Sequence, residues 1–204
     1  MSSRPKKYHH GDLKAELVRA GLAILREEGL EGLSLRAIAA RAGVSHTAPR
    51  NHFAGLDALL GAIAAEGFRM HAAAMREGVE DAPTGRARLD AAAAGYVRFA
   101  LRNPALFRIM FSHRLADVES DELAAASQDS YCVLRGISDG LVWDRPGPPA
   151  PHEVEALRSE TMLWSFVHGF TLLALDGKLP CGPDGAPLFG PLDVIPAFGY
   201  GAVG

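Results

Sequence analysis

The sequence predicts an all-α protein, and three observations lead to that fold class. The chain of 204 residues is rich in alanine and leucine, which have high helix propensity. Aromatic residues make up only 7% of the chain and β-branched residues are sparse, which disfavours an extensive sheet. Apolar residues recur at intervals of three and four, the spacing of one face of a helix.

The N-terminal part contains four predicted helices, which cover residues 13–28, 35–42, 46–53 and 56–76. Asp12 is the expected N-cap of the first helix and Gly29 its C-cap. Ser34 and Ser45 are the expected N-caps of the second and third helices. The second helix should end at Gly43, because glycine tolerates the left-handed conformation that closes a helix.

The second half, which begins after the Pro/Gly break at 81–85, contains four more predicted helices, covering residues 86–102, 104–112, 120–141 and 152–175. Asn103 followed by proline is a favourable start for the second of these. The run DRPGPPAP should form a loop, and the Gly- and Pro-rich tail from residue 181 should be irregular. The stretch 162–175 has no charge unless His168 is protonated. It could be buried by a second copy of the chain, the preferred interpretation, or in the core of one copy.

Composition indicates a cytoplasmic chain that does not span a membrane. The 14-residue apolar stretch is shorter than the roughly 20 residues a membrane-spanning helix needs. No apolar run follows the N-terminal charges, so a signal peptide is not expected. Cys132 and Cys181 lie far apart without a metal-binding spacing, which is typical of a reduced chain without disulfides.

Charge is unevenly distributed along the chain. Residues 1–54 carry nine Lys or Arg and five Asp or Glu, whereas the other 150 residues carry 12 basic and 19 acidic side chains. The charge of the first quarter of the chain therefore favours binding to a polyanion, and the charge of the remainder does not. An excess of four charges over 54 residues could also arise by chance.

The stretch RAGVSHTAPRNHF, residues 41–53, combines polar and basic residues that neither a core helix nor a solvated helix would favour. A helix, a glycine turn and a second short helix in a basic segment are typical of a helix-turn-helix, whose second helix enters the major groove of DNA. Pro49 lies near the start of that helix, where a proline costs less than in the middle.

The candidate DNA-binding residues fall into three groups. Thr47, Arg50 and Asn51 are the candidates for contacts with base edges or phosphates, and Pro49 for contact with a thymine methyl group. His46 and His52 can donate to phosphate oxygens. The remaining candidates are Lys6, Lys7 and Arg36, expected mainly at the phosphates, together with Ser34 and Ser45.

These motifs resemble the DNA-binding domain of the TetR family of bacterial transcriptional regulators. The resemblance covers HHGDL (9–13), GLSLRAIAARAGVS (32–45), the closing His52-Phe53, and DALLGAIAAEGF (57–68). NPALFRIMFS (103–112) and WSFVHGFTLL (164–173) resemble a Trp-His-Gly type of C-terminal domain in that family. The resemblance extends to about Leu179 and implies an all-helical homodimer that binds a palindromic DNA operator and responds to a small-molecule effector.

The sequence departs from the family pattern at three positions. Arg50 stands where the family usually has an aromatic residue, Asn51 where a basic residue is frequent, and Leu56 where a phosphate-binding lysine is usual. One phosphate contact should be lost, and Arg50 could restore a positive charge nearby.

The predicted organisation is an N-terminal arm with the helix-turn-helix (1–54), a connecting helix (55–80), a helical effector-binding and dimerisation domain (81–180), and a tail (181–204). The candidates to line a small-molecule pocket are Phe107, Met110, Phe111, Tyr131, Trp164 and His168. Side chains at this spacing could equally fill the core, and Trp164 with His168 could instead pack at a structural junction or dimer seam. The residues expected at the dimer interface are Phe166, Phe170 and Leu173.

Two other classes of protein, an enzyme and a helical adaptor, fit the sequence less well than a DNA-binding regulator. No catalytic motif of the common hydrolase, kinase, zinc-protease or dinucleotide-binding kind is present, so an enzyme is not expected. A helical adaptor would not need the basic helix-turn-helix. His9 and His10 lack a further ligand at metal-binding spacing, so neither a metal nor another cofactor is expected.

Overall fold

The structure, a computed structural model, describes residues 13–82, 85–138, 141–143, 151–193 and 198–200. In these residues the chain forms seven α-helices, two short 3₁₀ helices (Ala48–Asn51 and His113–Leu115) and a two-stranded sheet. The α-helices are α1 (Leu13–Glu28), α2 (Leu35–Arg41), α3 (Leu56–Arg76), α4 (Gly85–Arg102), α5 (Pro104–Met110), α6 (Asp121–Ser138) and α7 (His152–Leu175). The helical fold class predicted from the sequence is confirmed.

The chain divides into two compact units that interleave along the sequence. The first unit contains the described residues up to Ala65 together with Ala105–Leu123. The second contains Glu66–Pro104 and the described residues from Ala124 onward. This division differs from the predicted domain order, because α3 contributes to both units and α5 belongs mostly to the N-terminal one.

The first unit is built around the apolar faces of α1, α2 and α3. Leu17, Ile24, Ile38, Leu59 and Ile63 are buried at its centre. The predicted caps hold at two positions: Ser34 accepts a hydrogen bond from the amide of Ala37, and Gly29 closes α1 with a φ of +73°. The predicted cap at Asp12 lies outside the described residues.

The segment 105–123 packs into this first unit rather than into the second. Leu106 and Phe107 are buried, and a Cβ added at Gly61 of α3 would lie 2.8 Å from the Val118 side chain. Two ion pairs add to this packing, Lys14–Glu122 at 2.7 Å and Arg114–Asp57. Exposed pairs of this kind contribute little energy, so the apolar contacts hold the segment.

The second unit contains α4, α7 and parts of α3 and α6. Helices α4 and α7 pack against each other, with Leu89, Phe99, Leu163 and Val167 buried. Helix α4 comes so close to α3 that a Cβ added at Gly95 would meet backbone atoms of α3.

Strands β1 (Leu141–Trp143) and β2 (Phe198–Tyr200) correct two expectations from the sequence. Helix α6 ends at Ser138 rather than at Leu141, which instead pairs antiparallel with Tyr200. The tail is therefore not irregular throughout. Leu141–Trp143 contains a β-branched and an aromatic residue, which suit a strand once a partner is available. The loop predicted at 144–151 lies outside the described residues, except for Pro151.

None of the helices in the described parts of the chain is long and apolar enough to cross a membrane.

Candidate functional site

We call residues 45–53 the recognition segment. The short helix predicted here is a single 3₁₀ turn, Ala48–Asn51. The amide of Ala48 donates to the Ser45 carbonyl at 3.0 Å, and the amide of Arg50 donates to the Thr47 carbonyl at 3.1 Å. Pro49 has no amide hydrogen, so it cannot form the α-helical bond to Ser45. The expected α-helix is therefore corrected to a tighter turn with bonds from residue i to i−3.

Burial separates the candidate DNA-binding residues of this segment into two groups. His46, Thr47, Arg50, Asn51 and His52 are exposed.

Pro49 is buried in the first unit, with less than 2% of its surface exposed. The predicted contact between its ring and a thymine methyl group is therefore wrong, because the ring forms part of the core.

Residues three apart stand above one another in a 3₁₀ helix, so Thr47 and Arg50 share one edge of the recognition segment. The Ser45 hydroxyl lies 3.1 Å from the Thr47 hydroxyl. Thr47, not Ser45, occupies the N-cap position, and its side chain makes no capping hydrogen bond. The predicted cap at Ser45 is wrong because the 3₁₀ turn begins later than the expected helix.

Positive charge is available at two of the predicted DNA-binding positions. Arg36, in the first turn of α2, and Arg50 are both exposed and have no ion-pair partner within the described residues. Arg41, in contrast, pairs with Glu27 at 2.5 Å, a hydrogen bond that lowers the pKa of Glu27. Lys6 and Lys7 lie outside the described residues.

The second unit contains a buried chain of polar side chains. The His71 Nδ1 atom lies 2.8 Å from the Ser130 hydroxyl, and the His71 ring meets the Tyr96 ring edge-on at 4.3 Å. The Tyr96 hydroxyl lies 2.8 Å from Nδ1 of His168, whose ring lies 6.2 Å from that of Trp164. These contacts join α3, α4, α6 and α7.

Burial determines the protonation states of these polar side chains. It lowers the pKa of His71 to about 3, with a smaller contribution from the charge of His168. It also lowers the pKa of His168. Burial raises the pKa of Tyr96 well above its ordinary value, while a hydrogen bond with Trp164 acts in the opposite direction. Both histidines are therefore neutral at physiological pH and Tyr96 keeps its proton.

The six residues predicted to line one pocket are divided between the units. Phe107 and Met110 are buried in the first unit, where the ring of Phe107 lies 4.8 Å from that of Phe111. The other three, Tyr131, Trp164 and His168, belong to the second unit.

Sequence reasoning missed Glu160, a carboxylate in the interior of the second unit. It is only 6% exposed and accepts a short hydrogen bond from the Tyr131 hydroxyl. One turn further along α7 stands Trp164, whose ring lies 6.2 Å from that of Tyr131. Glu160 gives no signal in the sequence, because it lies between Ser159 and Thr161 in the polar first half of α7, which suggests an exposed position.

Two of the three residues predicted at the dimer interface are exposed on α7. Phe166 is 40% exposed and Leu173 is 48% exposed. Seven residues apart, they lie on the same flank of the helix, within about 20° of each other. Phe170 is only 7% exposed and its ring lies 6.0 Å from that of Phe189, so it belongs to the core of its own chain.

Two family models match the chain. The family model described as bacterial regulatory proteins, tetR family, matches residues 17–63, which include the whole recognition segment. The model described as tetracyclin repressor-like, C-terminal domain, matches residues 89–191, about half of the chain. The chain belongs to the TetR family. Its function as a DNA-binding transcriptional regulator follows from that membership.

Individual relatives of this TetR-family chain agree with the assignment. The Bacillus subtilis (strain 168) HTH-type transcriptional regulator YobS, itself uncharacterized, is 28% identical over 159 residues, which span 77% of this chain and 76% of YobS. The structure of a Rhodococcus sp. RHA1 protein of unknown function is 34% identical, with a TM-score of 0.68, over 89% of this chain and 90% of that one.

A TetR-family transcription regulator from Marinobacter aquaeolei VT8 shares the fold alone, at 18% identity and a TM-score of 0.57, over 84% of this chain and 87% of that chain.

Proposed function

We propose that this TetR-family regulator is a repressor that binds a palindromic operator as a homodimer and is released by a small molecule bound in its second unit. We also propose that the second unit is of the Trp-His-Gly type, on the residues Trp164, His168 and Gly169. The observation that carries the proposal is that the same chain has an exposed, cationic recognition segment and an exposed apolar flank on α7.

DNA recognition by the exposed side chains of the recognition segment follows from their chemistry. Thr47 and Asn51 can donate to and accept from base edges, and Arg50 can make a bidentate contact with guanine. Arg36 is exposed on α2, where its guanidinium can contact a phosphate oxygen. Because Arg36 and Arg50 have no acidic partner in the described part of the chain, binding DNA does not require an ion pair to break first.

Arg50→Ala is expected to weaken operator binding by roughly 1–3 kcal/mol and to relax the preference at one base pair in each half-site. Arg50 shares its edge of the recognition segment with Thr47 and stands where the family usually has an aromatic residue. Fluorescence anisotropy with the operator and its single-base variants measures both effects.

Arg88→Ala is the matched control, because Arg88 is an equally exposed arginine on α4 of the second unit. If Arg50→Ala weakens all sequences equally and flattens the salt dependence, Arg50 contacts phosphate rather than a base. If affinity is unchanged, the proposed role of Arg50 is wrong.

Dimerisation through α7 follows from the exposed flank that contains Phe166 and Leu173. Large apolar side chains that cluster on a surface mark a contact site with another molecule. Two-fold symmetry brings the same flank of two copies together and matches the symmetry of a palindromic operator.

Phe166→Glu and Leu173→Glu are each expected to convert the protein from a dimer into a monomer of 21.7 kDa. Each places a charge in the centre of an apolar contact, where its desolvation is costly. Light scattering at micromolar concentration measures the mass. Leu188→Glu is the control, because Leu188 is 67% exposed but lies outside α7. A dimer retained by both α7 variants would place the interface elsewhere.

A further inference from the structure

The interior of the second unit contains a carboxylate side chain that has no cationic partner among the described residues. Glu160 is 6% exposed, and the only partner of its carboxylate within the described residues is the Tyr131 hydroxyl, which donates to Oε2. The other oxygen, Oε1, therefore has no hydrogen bond in that part of the chain. Glu160 also forms no ion pair there, whereas Glu155 on the same helix pairs with Arg158.

A single neutral hydrogen bond does not compensate for the burial of a carboxylate. The charged group loses most of its water shell, although Oε1 keeps some contact with solvent. A buried charge is usually paired or bound to a ligand. The nearby Arg135 acts on Tyr131, but its guanidinium points to the sulfur of Cys132 at 3.6 Å. The position of Glu160 is thus favourable for a positive charge that the described residues do not supply.

Aromatic rings stand beside this carboxylate. Tyr131 and Trp164 meet edge-on, with ring centres 6.2 Å apart, and His168 lies 6.2 Å from Trp164 on the other side. Trp164 is 40% exposed, so one face of the group is open to solvent. Aromatic faces attract cations, and tryptophan does so most strongly.

We propose that the Glu160 cluster, formed by Tyr131, Glu160, Trp164 and His168, binds an organic cation such as an alkyl- or arylammonium ion. The cationic head would lie against the carboxylate and the rings of Tyr131 and Trp164, and its apolar substituent would face the exposed side of Trp164. As the identity of the effector, this inference rests on the proposed function; as a binding site, it stands on the geometry alone.

A metal ion fits this cluster less well than an organic cation. Metal sites need several converging ligands, and no group of three or more His, Cys, Asp and Glu side chains suited to a metal occurs in the described ranges. One carboxylate flanked by aromatic rings instead matches the chemistry that recognises ammonium ions.

The site and the proposed dimer flank lie on different sides of α7. Trp164 and Phe166 are two residues apart, which separates their directions by roughly 160° around the helix axis. A partner copy seated on Phe166 and Leu173 would therefore leave Trp164 accessible.

The test measures binding of benzyltrimethylammonium to the full-length protein without DNA, by isothermal titration calorimetry. Phenylacetate, an anion of similar size with the same ring, is the ligand control. We expect the cation to bind and the anion not to bind. Glu160→Gln, which keeps the shape and can still accept from Tyr131, should weaken cation binding at least about tenfold, since it removes the charge from the contact.

Two further variants make the result decisive. Glu153→Gln removes a carboxylate from the exposed first turn of the same helix and should leave cation binding unchanged. Trp164→Leu, at a partly exposed position, should weaken cation binding even if Glu160→Gln does not fold. The proposal is overturned if benzyltrimethylammonium does not bind, if phenylacetate binds equally well, or if Glu160→Gln and Trp164→Leu both bind like the wild type.

A second measurement separates this site from the proposed function. The same cation is added to the protein–operator complex in a gel shift. Release of the operator by wild type, but not by Glu160→Gln, supports both proposals. Glu160-dependent binding without release supports the cation site and contradicts effector-controlled release by this ligand class.

Discussion

Gly95→Ala is expected to destabilise the protein by about 1–3 kcal/mol or more, although alanine is the better helix former. A Cβ at Gly95 of α4 would lie 2.0 Å from the carbonyl oxygen of Ala74 in α3 and 2.7 Å from its carbonyl carbon. These are backbone atoms of another helix, so no side chain can turn away to make room. The two helices would have to separate, which would open the core around Phe99 and Leu89. Urea unfolding monitored by circular dichroism measures the loss.

Gly136→Ala is the matched control for that substitution. Gly136 lies within α6, and a Cβ added there would meet nothing within 4 Å. The control should raise the free energy of unfolding by roughly 0.5–1 kcal/mol, the usual gain of alanine over glycine in a helix. If Gly95→Ala also raised the free energy of unfolding, the close approach of α3 and α4 would not be a property of the protein in solution.

The sequence predicts most accurately the long helices that local sequence patterns define. Residues 13–28 and 56–76 were predicted as helices, and α1 and α3 have these bounds. A regular apolar periodicity defines the interior of each. Gly29 ends α1 in the left-handed conformation that favours glycine, with a φ of +73°. Such features depend on neighbouring residues alone, so they can be recognised without knowledge of the tertiary structure.

The recognition segment shows where local reasoning fails. From the sequence alone, Pro49 near the start of a helix is expected to cost little. In the structure it shifts the whole turn to 3₁₀ geometry, and its ring is buried in the first unit. Burial of the proline is a tertiary property, which the sequence pattern does not contain. The exposed neighbours, Thr47 and Arg50 among them, were predicted as candidates and remain so.

Two other features depend on residues that are distant in the sequence. Strand β1 pairs with β2 across more than 50 residues, and neither three-residue strand carries a periodicity of its own. Glu160 accepts its hydrogen bond from Tyr131 of α6, 29 residues away, so this contact depends on the tertiary fold. The sequence identified the aromatic members of the Glu160 cluster by their type, but the charge that gives the cluster its chemistry required the fold.

Acidification is expected to destabilise the protein through His71. Burial lowers the pKa of His71 to about 3 in the folded state, whereas a histidine in the unfolded chain has a pKa near 6.5. Above pH 6.5 both states hold the ring neutral, so the stability is fully present. Below pH 6.5 the unfolded chain takes up a proton that the folded protein does not. The free energy of unfolding should then fall with pH by up to about 1.4 kcal/mol per pH unit from this residue, or roughly 3 kcal/mol between pH 6.5 and pH 4.

The double variant His71→Phe/Ser130→Ala isolates that contribution. It removes the titrating ring together with its hydrogen-bond partner, so no buried hydroxyl is left unpaired, and phenylalanine keeps the contacts with Tyr96 and Phe99. Urea unfolding at fixed protein concentration from pH 7 to pH 4 should show a shallower decline for the double variant than for the wild type. The pKa of His168 is also lowered by burial, so His168 should contribute to the fall in the free energy of unfolding in both proteins. His113→Gln, at an exposed position, should reproduce the wild-type decline. Equal declines in the wild type and the double variant would show that His71 is accessible to protons in the folded protein, which contradicts its burial between α3, α4 and α6.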